Sequence, residues 1–153
     1  MIRAVFDANV LASGFVGLSR TGVSAPAVLL RSWMLGRFTL IVSEEILAEV
    51  EQSAFSKPYF QRALPAEARA RAFAVLRRNA LIVDLTETAP GIAPDPDDDH
   101  VLAAALSAQT GYLVTGDRAL RALGSHAGVR LVTPREFLEM IETEADVSDE
   151  DAG

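Results

Sequence analysis

Short apolar runs alternate along this chain with longer segments whose apolar positions fall three or four residues apart. The two periods predict alternating strands and helices. The first run, Ile2–Phe6, is broken by Asp7. Residues 12–25 carry Gly14, Gly17 and Gly22 among several Ser, and read as a loop. Pro26 suits the first turn of a helix over 27–35, closed by Gly36. Residues 38–42 read as a buried strand. Ser43 is a good N-cap, with Glu44 and Glu45 at the positive end of a helix whose apolar face is Ile46, Leu47 and Val50. Residues 53–65 are turn-rich, with breaks at Lys57-Pro58 and Leu64-Pro65. A helix over 66–79, a third strand over 81–85 and a Pro/Gly loop over 86–96 follow. A helix of small residues over 98–110 ends at Gly111. A fourth strand over 112–115, a short helix over 118–123, a fifth strand over 129–132 and a helix from Thr133-Pro134 through Ile141 complete the pattern.

Buried strands alternating with helices predict an α/β fold: a three-layer α/β/α sandwich around a five-stranded parallel sheet. In such sheets ligands bind beyond the carboxyl ends of the strands, where strand order reverses. Asp7 and Asp117 each follow a strand at that end. They meet if the first and fourth strands are neighbours, which requires the order 3-2-1-4-5.

Composition narrows the class. A chain of 153 residues, half of them hydrophobic, is expected to form one domain. That domain is placed at 1–142, with an acidic tail at 143–153 expected to be disordered. The absence of Cys excludes thiolate zinc sites, disulfides and Cys nucleophiles. No secretory signal is visible, and a cytoplasmic, membrane-free protein is expected. The net charge of −7 argues at first against nucleic acid, but six of the acids lie after Ile141. Setting those six aside leaves −1 for the rest of the chain. Of the 14 basic residues only Lys57 is not Arg. The charge evidence is permissive.

The candidate chemistry lies in the acids. A carboxylate ending a buried strand is costly unless something compensates it. Asp7 therefore points to a cation or partner, although it also suits a helix cap. Asp117, in Thr115-Gly116-Asp117-Arg118, equally suits the N-cap of the helix after it. Asp95, Asp97, Asp98 and Asp99 fail the calcium-loop pattern, because the sixth position is His100 and the twelfth is Leu106. Acids at a helix N-terminus need no further role, yet one of the four could reach the site. Glu49 and Glu51 flank opposite sides of an apolar helix face, and spacing alone does not choose between them. Carboxylates without Cys suit Mg²⁺ or Mn²⁺, which polarise a phosphoryl oxygen and lower the pKa of an attacking water. The glycines of 14–22 lack the P-loop order. His100 and His126 read as surface residues. Arg20, Arg69, Arg77 and Arg118 are candidates for phosphate contacts.

Four segments in order, FDANVLASG, SEEILAEVEQ, DPDDDHVLAAAL and YLVTGDRAL, resemble the PIN domain family, most nearly its VapC-like toxins of toxin–antitoxin systems. The resemblance covers the chain to about Ile141. It implies an α/β/α fold and an Mg²⁺- or Mn²⁺-dependent ribonuclease that leaves a 5′-phosphate and a 3′-hydroxyl. It also implies four catalytic, metal-holding acids. Asp7 falls on the first-strand Asp and Glu49 on the helix Glu. Asp117 falls on the acid of the T-x-D motif. Aligning Ala105 with the family's helix Ala selects Asp98, and a one-residue shift selects Asp99. Asn9 and Thr115 match supporting polar positions. An RNA substrate, an antitoxin protein and a homodimer are the partners it implies. Two rival readings are a catalytically silent PIN fold that binds RNA or protein, and a phospho-acceptor domain. The latter has only Asp84 as acceptor and lacks the required Lys.

Overall fold

The computed structural model describes residues 1–152, with side chains as far as Glu144. Strand β1 (Arg3–Phe6) leads into helix α1 (Ala8–Ser19), and α2 (Ala25–Met34) packs against α1. Strand β2 (Thr39–Ser43) leads into α3 (Glu44–Glu49), which loosens into a π-helical turn, Val50–Ala54. Helices α4 (Pro58–Ala63) and α5 (Ala66–Asn79) precede β3 (Leu81–Val83). A 3₁₀ turn, Pro96–Asp98, opens α6 (Asp99–Ser107), followed by β4 (Tyr112–Val114) and α7 (Arg118–Arg121). Strands β5 (Ser125–His126) and β6 (Val129–Val132) precede the last helix, α8 (Pro134–Ala152). That helix continues past Ile141, where its end was expected. The expected disordered tail, 143–153, falls mostly on residues whose side chains lie outside the described residues.

The sheet order is β3-β2-β1-β4-β6-β5. The expected order is present, with the predicted fifth strand as β6, and a sixth strand is added at the edge. All pairings are parallel except that of β5 with β6. The added strand comes from a two-residue hairpin through Ala127 and Gly128, both at positive φ. Such turns favour Asn-Gly, and Ala in that position hides the signal. Strand β1 is buried from Ala4 to Phe6 without alternation, as expected of a parallel strand covered on both faces. Rings of Phe6, Phe38 and Phe137 pack at centroid distances of 5.2–5.8 Å and tie α8 to the sheet.

The stretch 12–25, expected to be a loop, is helical as far as Ser19. The glycines are there for packing. A Cβ on Gly14 would lie 2.5 Å from Leu30 Cδ1, and one on Gly17 would lie 2.6 Å from Ser24 Oγ. Helix α2 approaches α1 too closely for any side chain at these positions. The turn-rich reading of 53–65 is corrected likewise, since α4 starts at Pro58, a residue that fits a first helical turn.

Candidate active site

The four acids reach one cleft from four separate segments. Asp7 stands where β1 ends. Its backbone N–H donates to Val114 O at 3.1 Å, so the β1–β4 ladder runs one step past the strand. Because Phe6 pairs with Val114, the next residues, Asp7 and Thr115, come side by side. Thr115 is fully buried, and its hydroxyl donates to Asp7 Oδ2. The other Asp7 oxygen, Oδ1, accepts from Val10 N at 2.9 Å and caps α1. Asp7 is thus both a cap and a cleft acid.

Asp117 N–H donates to the same Thr115 hydroxyl at 3.1 Å. Asp117 Oδ1 accepts from Ala119 N and Leu120 N at 2.9 and 3.2 Å, capping α7. Capping occupies this one oxygen and leaves Oδ2 without such a bond. Asp98 closes the 3₁₀ turn before α6, and its side chain makes no capping bond. Asp99, the one-residue alternative, turns to the loop instead: its Oδ2 accepts from Gly91 N at 3.3 Å. Asp95 and Asp97 are exposed, and Asp95 accepts from Asp97 N at 2.9 Å to cap the turn.

Glu49 is the last residue of α3, where the helix widens into the π turn. Such turns are frequent at functional sites. His100 Nε2 lies 3.2 Å from Glu49 Oε2, so the histidine read as a surface residue orients a cleft acid. Glu51, the flank alternative, is exposed and does not line the cleft.

Asp7, Glu49, Asp98 and Asp117 all line one cleft of ≈ 430 Å³, with Asn9, Ser13 and Gly116 among its other walls. Burial and neighbouring charge both show in the proton affinities. Burial pushes the Asp7 carboxyl up to about 6, aided by the Glu49 and Asp98 charges and opposed by the Thr115 hydroxyl. Burial and then Asp117 raise Asp98. The hydrogen bond to Glu49 holds the His100 imidazole above its ordinary value.

The donor set is all oxygen, which fits a hard divalent cation. Among the described residues no three acids or histidines stand close enough to cage an ion by themselves. Mg²⁺ does not require a cage: it is commonly held through one or two carboxylates and keeps several waters.

None of the four candidate RNA-binding arginines lines the cleft. Arg77 is engaged by Glu44 in a two-pronged pair at 2.8 and 2.9 Å. Arg69 donates to Leu64 O at 3.2 Å. Arg20 donates to Tyr59 Oη at 3.2 Å, and Arg118 is exposed at the start of α7. Asn9 does not hold Asp7; its Oδ1 accepts from Lys57 Nζ at 3.3 Å. Lys57 escapes a reading by motif, and its one signal in the sequence is that it is the only lysine.

Among the described residues no helix is long and apolar enough to cross a membrane. A search of curated proteins finds no match. The PIN domain family matches residues 3–119, a span that contains β1, β2, β4 and all four cleft acids. By that match, and by a mostly parallel α/β/α sheet with the acids at its carboxyl edge, the chain belongs to the PIN domain family, a family of nuclease type.

Proposed function

We propose that this protein is a divalent-metal-dependent endoribonuclease, working as the toxin of a toxin–antitoxin pair. The observation that carries the nuclease reading is the meeting of Asp7, Glu49, Asp98 and Asp117 in one cleft. Burial, with smaller help from the Glu49 and Asp98 charges, pushes Asp7 up to about 6. A bound Mg²⁺ or Mn²⁺ would neutralise them and lower the pKa of an attacking water. Asp7 and Asp117 would hold the ion, braced by the shared Thr115 hydroxyl. Glu49, oriented by His100, would reach the ion through one of its waters.

The chain's own residues then position the reaction. Water attacks the phosphorus in line, the P–O3′ bond breaks, and a 5′-phosphate and a 3′-hydroxyl remain. Asp98 makes no capping bond, and burial raises its proton affinity. It is the cleft acid best suited to take the proton of the attacking water. The leaving 3′ oxygen takes its proton from solvent.

The toxin role, an antitoxin partner and a homodimer rest on the resemblance of the four motifs to VapC-like proteins. A small DNA-binding antitoxin encoded in the neighbouring reading frame is the expected genetic context. The alternative is a PIN fold that retains RNA without cutting it.

Purified protein, incubated with single-stranded RNA and Mn²⁺ or Mg²⁺, decides between them. The nuclease reading expects cleavage with 5′-phosphate ends, blocked by chelator and reduced on the order of 100-fold or more in Asp7→Asn. Retention of RNA without cleavage in either metal selects the silent module.

A further inference from the structure

We infer that helices α1 and α4 form a lip that guides a single RNA strand into the acid cleft, with Lys57 as its phosphate contact and Tyr59 as its base-stacking platform. The inference rests on the ribonuclease reading and specifies how that site takes its substrate. Two independent observations carry it.

The first is the position of Lys57. In a chain with 21 acids it is the only lysine. It stands just before α4, and its ammonium meets Asn9 Oδ1 at 3.3 Å. Asn9 is a wall of the acid cleft. A cation therefore sits at the mouth of a strongly acidic site. It forms no ion pair with an acid among the described residues. Its one bond is to a neutral amide, which a phosphate oxygen could replace as acceptor.

The second is Tyr59. It is 49% exposed although large and aromatic. Its ring is braced from two sides. The Arg20 guanidinium lies 5.6 Å from its centroid and also donates to its hydroxyl, while Phe60 packs edge-on at 5.2 Å. A side chain fixed in place yet open to solvent is pre-organised to stack a base, and an Arg beside it adds cation–π and phosphate contacts.

The two features are joined by α1. The start of α4 meets it through side chains, Lys57 reaching Asn9 near its first turn and Tyr59 bonded to Arg20 just past its end. Lys57 and Tyr59 are two residues apart, at most ~7 Å between their Cα atoms, so the phosphate contact and the platform serve neighbouring nucleotides of the strand. A stacking platform requires an unpaired base, so the ligand is single-stranded RNA rather than a duplex.

The test measures binding of a fluorescent single-stranded oligoribonucleotide in EDTA, where cleavage is off, and cleavage separately in Mn²⁺. Tyr59→Ala should weaken binding about 5- to 150-fold, the range for loss of one stacked base. Tyr59→Trp should restore it, and Lys57→Gln should lower the salt slope by about one. Duplex RNA of the same sequence should compete poorly. Thermal melts confirm that the variants fold, as expected for exposed positions. If Tyr59→Ala and Lys57→Gln bind as wild type does, or if duplex competes equally, the lip is wrong while cleavage stands. If wild type binds RNA through Tyr59 but never cleaves, the nuclease reading falls and the lip survives. If wild type binds no RNA in EDTA yet cleaves it in Mn²⁺, the lip falls and the nuclease reading stands; if it does neither, both fall.

Discussion

The buried hydroxyl of Thr115 joins two acids, donating to Asp7 Oδ2 and accepting from Asp117 N–H at 3.1 Å. One side chain just past β4 thus sets the separation of the carboxylates that end two neighbouring strands. Thr115→Val keeps the shape and removes the hydroxyl. It leaves a carboxylate oxygen and an N–H without their partner, at a cost of about 1–3 kcal/mol. It also raises Asp7 further. Thr115→Ser should recover most of the loss. Denaturant midpoints of the three proteins check this, and a valine variant as stable as wild type would show that the hydroxyl does not brace the pair.

Asp7 predicts a pH dependence whose sign is fixed by its shift. Its ordinary value is 3.8 and its folded value about 6. Between those values the folded state holds a proton that the unfolded state has released. Metal-free stability therefore falls as pH rises from about 4 through about 6 and then levels. At ~1.4 kcal/mol per pKa unit, the loss is at most about 3 kcal/mol. Asn also caps helices well, so Asp7→Asn should abolish this component and be the more stable protein at pH 7.5 in EDTA. Urea titrations across the range measure it; parallel profiles for the two proteins would contradict the assignment.

His100 supports Glu49 from the start of α6. Groups that orient a metal-holding side chain typically matter 10–100-fold in metal affinity or activity. His100→Ala should lower Mn²⁺ affinity by about that factor, and His100→Gln, with an amide donor, should regain part of it. Calorimetric titration of the three proteins is the check. Equal affinities would leave Glu49 out of reach of the ion's waters or His100 without influence on it.

Gly14 predicts a packing penalty. A methyl there would meet Leu30 Cδ1 at 2.5 Å and Pro26 O at 3.0 Å. Leu30 can shift but the backbone of α2 cannot do so freely. Gly14→Ala should therefore destabilise by about 1–3 kcal/mol, despite the higher helix propensity of Ala. A raised melting temperature would show that α1 and α2 are less closely held.

These glycines also explain what the sequence conceals. Helix α1 reads as a loop because glycine normally weakens a helix, and only the neighbouring helix shows why it is kept. Strands β1, β2, β4 and β6 are legible, since buried parallel strands are unbroken apolar runs. The caps Ser43 and Asp117 are legible as well, because a side-chain oxygen before a helical run serves an N–H three residues on. Asp7 and Asp117 emerge from strand-end position alone. Glu49 does not: Glu51 satisfies the same spacing, and only the family resemblance separates them. Asp99 is set apart from Asp98 by its bond to Gly91, a contact eight residues away that no local pattern announces. Lys57 and Tyr59 acquire meaning only when the start of α4 meets α1.

The central claim is that Asp7 and Asp117, 110 residues apart in the chain, serve one ion. Mn²⁺ titration of wild type, Asp7→Asn and Asp117→Asn, followed by the electron paramagnetic resonance of free Mn²⁺, tests it most directly. One saturable site in wild type, weakened at least about tenfold by either substitution, is the predicted result. Wild-type affinity in either variant, or no binding by wild type at millimolar Mn²⁺, would contradict it.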